Sequence, residues 1–134
     1  MPLPFEFLIP DRPLSLQAKP EAKAKWKQLV NNEAKKTWVY PLVEEGDLHV
    51  SIVYLCDDSQ QPDTDNIVKP ILDALNGLVY VDDMLVSDVE SHRRYLSEGI
   101  DFINLPTILQ EAVIEGKVSV YVKIENAKSL ESYL

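Results

Sequence analysis

Cysteine is nearly absent from this 134-residue chain, which contains only Cys56. A single cysteine excludes an internal disulfide and is typical of proteins from a reducing cytosol. Because Cys56 closes an apolar run, we interpret it as a small core residue and not as a nucleophile. The fold must therefore be stabilised by burial of apolar side chains, for which a chain of this length is sufficient.

Long apolar runs are also absent. No stretch of the sequence approaches the roughly 20 apolar residues that a membrane-spanning helix needs. The first residues, MPLPFEFLIPDRP, carry no basic segment and are interrupted by prolines, unlike a secretory signal peptide. We therefore expect a soluble, cytoplasmic protein without a membrane partner.

Basic residues are scarce, with 13 lysines and arginines against 22 acidic residues and a net charge of −9. This balance argues against nucleic-acid binding, which usually requires a basic surface. The charges are unevenly distributed, however. Residues 12–36 contain seven basic and two acidic residues, whereas residues 37–90 contain twelve acidic residues and one basic residue, Lys69. The acidic segment is either a solvated surface or a site that binds divalent cations before it meets an anion.

The pattern of apolar residues predicts an α+β fold in a single domain, residues 1–134. Extended apolar runs predict five strands, and helical spacing between prolines and glycines predicts three helices. The order β-α-β-α-β-β-α-β indicates a mixed β-sheet with two to three helices packed on it. The predicted strands cover residues 5–9, 46–56, 78–81, 84–96 and 117–124, and the predicted helices cover residues 21–36, 66–77 and 105–115.

Three of these segments can be placed more closely. Residues 46–56 are apolar on both faces, which predicts a central strand. Residues 84–96 alternate weakly and hold many polar side chains, which predicts an edge strand or one solvated face. Pro70 disfavours helical geometry in the residue before it, so the second helix either begins close to Asn66 or kinks at Pro70.

Four carboxylates bracket the second predicted helix, in the stretch PDTDNIVKPILDALNGLVYVDD at residues 62–83. One explanation for them is structural. Asp63 or Asp65 would cap the helix, and Asp65 would form an i, i+4 ion pair with Lys69. Asp82 and Asp83 would form the tight turn of a hairpin. Under this explanation none of the four acids has a role beyond the fold.

The second explanation is a metal centre. A strand that runs back along the helix would bring Asp83 to face Asp63 and Asp65 across a small gap. Carboxylates so close together repel one another unless a cation lies among them, and carboxylate oxygens are preferred ligands of Mg²⁺ and Mn²⁺. Such a cluster suits phosphodiester hydrolysis, with Lys69 stabilising the developing negative charge.

The same stretch closely resembles the central motif of RusA-type Holliday junction resolvases. That motif has an acid, one spacer, D-N-x-x-K, an apolar helix containing L-D-A-L, and a final D-D pair. The resemblance is close over residues 62–89 and weaker over the rest of the chain. The matching residues are Asp63, Asp65, Asn66, Lys69, Leu72, Asp73, Ala74, Leu75, Asp82 and Asp83.

The resemblance implies a homodimeric, metal-dependent endodeoxyribonuclease that cuts four-way DNA junctions during recombination and repair. It implies that Asp63, Asp65 and Asp83 are catalytic acids that bind Mg²⁺ or Mn²⁺, and that Lys69 is the catalytic lysine. For Asp73 we expect a side chain that faces solvent or a neighbouring residue of its own helix.

The net charge departs from the family pattern, because resolvases of this type are usually basic. The candidate phosphate contacts are the basic segment 12–36 and the pair Arg93–Arg94, although a solvated strand face also explains the pair. Two alternatives to the nuclease therefore stay open. One is an acidic module of the same fold that binds a metal or a partner and has little nuclease activity. The other is a plain globular domain whose acids serve only a cap and a turn.

Overall fold

Three helices and a four-stranded mixed sheet make up the regular part of the fold, which confirms the predicted α+β class. The structure, a computed structural model, describes residues 2–15, 17–57 and 64–134. Within these ranges the elements are β1 (Phe5–Ile9), α1 (Pro20–Lys35), β2 (Leu48–Cys56), α2 (Val68–Leu75), β3 (Val86–Tyr95), α3 (Thr107–Glu115) and β4 (Ser119–Asn126).

The sheet has the strand order β1-β4-β2-β3. β4 pairs antiparallel with both β1 and β2, whereas β2 and β3 run parallel. Parallel neighbours need a crossover connection, and α2 lies in the connection between β2 and β3. β2 is thus an inner strand and β3 an edge strand, as the sequence predicted.

The helices cover both faces of the sheet. Successive strand side chains point to opposite faces, so each strand contributes to two separate clusters. On one face, Val30 of α1 and Ile71 of α2 are fully buried in the main core with alternate residues of β2, including Cys56. On the other face, Leu109 of α3 packs in a smaller cluster with Leu55. Cys56 is therefore a core residue, as predicted.

α1 is an amphipathic helix with a basic exposed face. Pro20 occupies its first turn, where a missing backbone N–H is tolerated. Trp26, Val30 and Ala34 recur every four residues and are buried, while the lysines of the helix stay exposed. In the described ranges, no helix has the length and apolar character needed to span a lipid bilayer.

α2 begins at Val68, which places Pro70 in its first turn. A proline there removes no internal hydrogen bond of the helix, so the first of the two alternatives for Pro70 is correct. The helix ends before Gly77, whose φ of 76° lies in the left-handed region that favours glycine.

The predicted strand at residues 78–81 is wrong. This segment makes only isolated bridges, through Tyr80 to Val43 and Asn76. Val79 and Tyr80 are nevertheless fully buried, and the Tyr80 hydroxyl donates a hydrogen bond of 2.8 Å to the carbonyl of Leu72. The apolar run is thus explained by packing against α2 and not by pairing in the sheet.

The predicted hairpin turn at Asp82–Asp83 is also wrong. Asp83–Leu85 form a short 3₁₀ turn, and the Asp82 carboxylate accepts the backbone N–H of Met84 at 2.9 Å. The segment directly before this turn is not a strand, so no hairpin forms, and β3, which starts at Val86, pairs with β2 instead.

Candidate active site

Lys69, the second residue of α2, lies between two carboxylates. Its Nζ donates a hydrogen bond to Asp73 Oδ1 at 2.7 Å and another to Asp83 Oδ2 at 3.2 Å. Asp73 is one helical turn further along α2, whereas Asp83 lies 14 residues away in sequence. The contact with Asp83 therefore depends on the path that the chain takes after α2.

Hydrogen bonds of Gly77 and Tyr80 fix the path of the chain after α2. The backbone N–H of Gly77 donates to the carbonyl of Tyr80 at 2.8 Å, and the Tyr80 hydroxyl bonds back to Leu72. Burial raises the pKa of Tyr80, and the charges of Asp83, Asp73 and Asp82 raise it further. The hydroxyl consequently keeps its proton and its bond to α2, and the returning segment brings Asp83 beside Lys69.

Asp83 is stabilised as a carboxylate. Its side chain is 22% exposed, and this partial burial by itself would raise its pKa. Hydrogen bonding with Lys69, Asp82 and Asn76, together with the charge of Lys69, outweighs burial and lowers the pKa of Asp83 below its ordinary value. The repulsion that we expected among converging, metal-free acids stays a prediction, because Asp63 lies outside the described residues.

Lys69 is correspondingly stabilised as a cation. Hydrogen bonds to Asp73 and then to Asp83 raise the pKa of its ammonium group. The side chain remains 53% exposed, so it can be reached by an anion from solution. The pair Lys69–Asp83 thus presents a positive and a negative group side by side at an accessible surface.

Asp65 lies in the turn before α2 with an exposed side chain. The N-cap of α2 is Ile67, without a side-chain cap, so Asp65 does not cap the helix. Nor does it pair with Lys69, whose ion pairs among the described residues are those with Asp73 and Asp83. Asp65 therefore has neither of the two roles, helix cap and ion-pair partner of Lys69, that the structural explanation assigned to it.

A hydrogen bond joins the turn that contains Asp65 to β3. The Ser91 hydroxyl, in the middle of that strand, donates a hydrogen bond of 2.7 Å to the carbonyl of Thr64. Asp63, the residue before Thr64, lies outside the described residues. Its predicted position opposite Asp83 stays a prediction.

The donor atoms near Asp83 suit a hard cation. Asp83 offers carboxylate oxygens, and Asn76, which hydrogen-bonds to Asp83, has a buried Oδ1 with no hydrogen-bond partner among the described residues. Oxygen donors of this kind are the ligands that Mg²⁺ prefers. The described residues hold no complete group of three or more His, Cys, Asp or Glu side chains that could bind a metal, but the predicted set also includes Asp63.

Asp73 and Asn76 were not predicted as site residues. Asp73 carried a usable signal, since it follows Lys69 at the i, i+4 spacing that brings side chains together on a helix. Asn76 carried none, because its approach to Asp83 results from the return of the chain after α2 and not from any spacing in the sequence.

The basic face of α1 lies next to this site. Lys23, Trp26 and Lys27 of α1 and Pro70, Asp73 and Ala74 of α2 line a cavity of about 130 Å³. The two lysines therefore lie across a small groove from Asp73, which in turn binds Lys69. The basic segment and the acidic segment, separate in sequence, form one continuous surface.

A larger cavity than this groove lies elsewhere. It has a volume of about 530 Å³ and is lined by Val53 and Leu55 on the α3 face of the sheet, with Arg94 among its polar residues. Arg93 instead lies over the Tyr95 ring, with its guanidinium carbon 5.6 Å from the ring centroid. This cavity contains none of the predicted catalytic or metal-binding residues, so we do not assign the chemistry to it.

Comparison with known proteins identifies the family. No curated protein matches the chain. Residues 15–125 match the family model of endodeoxyribonuclease RusA, and this range contains Asp65, Lys69 and Asp83. The match covers most of the sequence and confirms the resemblance that the motif predicted. The chain therefore belongs to the endodeoxyribonuclease RusA family.

Proposed function

We propose that the protein is a metal-dependent endodeoxyribonuclease that resolves four-way DNA junctions by phosphodiester hydrolysis in recombination and repair. Family membership supports the class of enzyme. The observation that carries the proposal is the 3.2 Å contact between Lys69 and Asp83. A partly exposed ion pair adds little to stability, so fold stability alone is a weak reason to bring these two charges together.

The acids and the lysine have different roles in this proposal. Asp63, Asp65 and Asp83 would hold Mg²⁺ or Mn²⁺, which when bound activates water and neutralises phosphate charge. Lys69, beside Asp83, would donate hydrogen bonds to the phosphate oxygens that gain negative charge during cleavage. Its raised pKa supports this role, because the group remains a cation at neutral pH.

The groove between α1 and α2 would guide the DNA backbone to these residues. Lys23 and Lys27 line it on the α1 side, and the Lys69–Asp73 pair lies on the other side. A phosphodiester backbone that follows the two lysines would reach Lys69 next. This path reconciles DNA binding with a net charge of −9, because the contact uses a local basic surface.

The test is cleavage of a four-way junction and of linear duplex of the same sequence, each with Mg²⁺, with Mn²⁺ and with EDTA. We expect junction cleavage with either metal, none in EDTA, and intact duplex. Lys69→Ala prepared in parallel controls for contaminating nuclease. Equal cutting of duplex would remove junction selectivity from the proposal, and an uncut junction under all conditions would remove the nuclease function.

We also propose a homodimer, because paired nicks on opposite strands of a junction need two active sites. Sedimentation at micromolar concentration should give twice the 15.2 kDa mass of the chain. A monomer under these conditions would contradict both the dimer and cleavage by paired nicks.

A second candidate function is an acidic module that keeps the fold and binds a metal or a partner but cuts DNA poorly. The excess of acids over bases, 22 against 13, favours it. Binding of Mn²⁺ without junction cleavage would select this function over the nuclease.

A further inference from the structure

Asp73 is an unexpected member of the site. Its side chain is 49% exposed, and it makes the shorter of the two contacts to Lys69, 2.7 Å against 3.2 Å for Asp83. Its neighbours Leu72 and Ala74 are buried in the core, so the helix itself is fixed without any contribution from Asp73. The role of the Asp73 carboxylate must therefore lie in its effect on Lys69.

Helix stability does not provide that reason. Lys69 is the second residue of α2, where the positive end of the helix dipole disfavours a cation, and Asp73 lies near the negative end, which disfavours an anion. An i, i+4 pair with the lysine before the acid is also the weaker of the two orders. Both charges thus stand at positions that an isolated helix of this length would not favour.

Lys69 and the proposed metal ion would compete for Asp83, and this competition indicates what Asp73 contributes. In the proposed function Asp83 binds a divalent cation, yet in the structure its Oδ2 accepts a hydrogen bond from Lys69. A cation at Asp83 would compete for that oxygen and repel the ammonium group. If Asp83 were the only anchor, an exposed side chain such as Lys69 would move into solvent when the metal arrives.

We propose that Asp73 is a positioning residue that keeps the Lys69 ammonium group at the site while Asp83 changes its partner from Lys69 to the metal ion. This inference rests on the proposed function, in which Asp83 is a metal ligand and Lys69 acts on the phosphate. Asp73 touches neither metal nor substrate in this role and acts only through Lys69.

Two substitutions should then have opposite effects on metal binding. In Asp73→Asn, Asp83 is the only ionic partner that Lys69 keeps among the described residues, so Lys69 competes more strongly with the metal and affinity for Mn²⁺ should fall about threefold. In Lys69→Gln the competitor is gone, and affinity should rise by a similar factor. Asp73→Glu, which still reaches Lys69 at the same spacing, should retain wild-type affinity.

The decisive measurement is a double-mutant cycle of Mn²⁺ binding to the DNA-free protein by isothermal titration calorimetry. If Asp73 acts through Lys69, adding Asp73→Asn to Lys69→Gln should change the affinity little further. A direct attraction between Asp73 and the metal would instead give the same loss in both backgrounds and would overturn the inference. Glu111→Gln, at an exposed position of α3, controls for the loss of one negative charge.

Cleavage gives a second readout. At saturating Mg²⁺, Asp73→Asn should lower kcat for the junction and leave KM nearly unchanged, because Lys69 is present but not held. Failure of the inference and failure of the proposed function are distinguishable. Wild-type protein that binds no Mn²⁺ refutes the metal centre and the inference together. Wild-type protein that binds Mn²⁺ with the same affinity as Asp73→Asn refutes the inference alone.

Discussion

α1 and α2 pack side by side in one core but use their charged side chains in opposite ways. Lys23, Lys25 and Lys27 of α1 are exposed, and none of them forms an ion pair with another described residue. Lys69 of α2 is held by Asp73 and Asp83. The positive charges of α1 are therefore available to a polyanion, whereas the positive charge of α2 is already fixed in a local arrangement.

In the proposed function, this difference separates DNA binding from chemistry. Exposed, unpaired lysines suit the exchange of counterions for phosphates, which is sensitive to salt and tolerant of position. A lysine fixed between carboxylates suits one position on one phosphate, where small displacements are costly. Substitutions in the two helices should consequently affect different measurements, and the predictions below test that separation.

The largest effect is expected for Lys69→Ala. Loss of one fixed cationic donor to the transition state should reduce the cleavage rate by about 10²–10³-fold. Junction affinity, measured with Ca²⁺ in place of Mg²⁺, should change much less. The measurements are single-turnover cleavage and a gel-shift titration with the same junction.

Lys36→Ala is the matched control for that substitution. Lys36 is also exposed and paired with an acid, Glu33 Oε1 at 3.0 Å, but it is the C-cap of α1 and makes no ion pair with Asp73 or Asp83. Cleavage by Lys36→Ala should stay near the wild-type rate. If Lys69→Ala also cuts at that rate, Lys69 has no part in the mechanism.

A smaller effect, on binding alone, is expected for charge reversal on α1. The double substitution Lys23→Glu and Lys27→Glu should weaken junction binding and lower the slope of log K against log salt by about 1–2, since each phosphate contact contributes roughly 0.9. The single-turnover rate at saturating enzyme should be nearly unchanged, because Lys69 and Asp83 remain in place.

Reversal of Lys117 and Lys128, both exposed outside α1, gives the same change in net charge. This control should preserve the salt slope if the groove between α1 and α2 carries the DNA. Equal slopes for all three proteins would place the DNA path on another surface.

Much of the fold was predictable because its signals are local. The buried stripe Trp26, Val30 and Ala34 of α1 and the exposed edge strand β3 both follow from short-range patterns of apolar residues. Residues 78–81 were predicted wrongly because an apolar run of four reads as a strand whether it pairs in a sheet or packs against a helix. Only the tertiary contact between Tyr80 and Leu72 decides between the two.

The partners of Lys69 illustrate the same limit at the site. Asp65 and Asp73 stand four residues before and four residues after Lys69, so spacing alone does not choose between them. The choice depends on where α2 begins. Because the helix starts at Val68, Asp65 lies outside it and loses the i, i+4 geometry, whereas Asp73 keeps it. The Asp83 contact needed, in addition, the returning segment after Gly77.

The smallest effect is expected for Asp83→Asn, measured as stability. The side chain keeps its shape but loses the charge that Lys69 stabilises. In EDTA at pH 7 we expect the free energy of unfolding to fall by about 0.5 kcal/mol, as for a partly exposed ion pair. Millimolar Mg²⁺ should stabilise the wild type by mass action and the variant less. Thermal unfolding of both proteins in EDTA and in Mg²⁺ measures the two effects.

The pH dependence of that difference identifies its cause. The folded pKa of Asp83 lies below its ordinary value of 3.8, so the carboxylate contributes stability above pH 3.8, and the contribution is lost as pH falls through the folded pKa. Wild type and Asp83→Asn should therefore differ at pH 7 and converge as the pH falls through the folded pKa of Asp83. Asp101→Asn is the matched control, since Asp101 is also exposed and asparagine can still accept the Ile103 N–H. If Asp83→Asn were instead more stable than wild type in EDTA at pH 7, repulsion among the acids would outweigh the contact with Lys69. The comparison between a fixed charge on α2 and free charges on α1 would then fail.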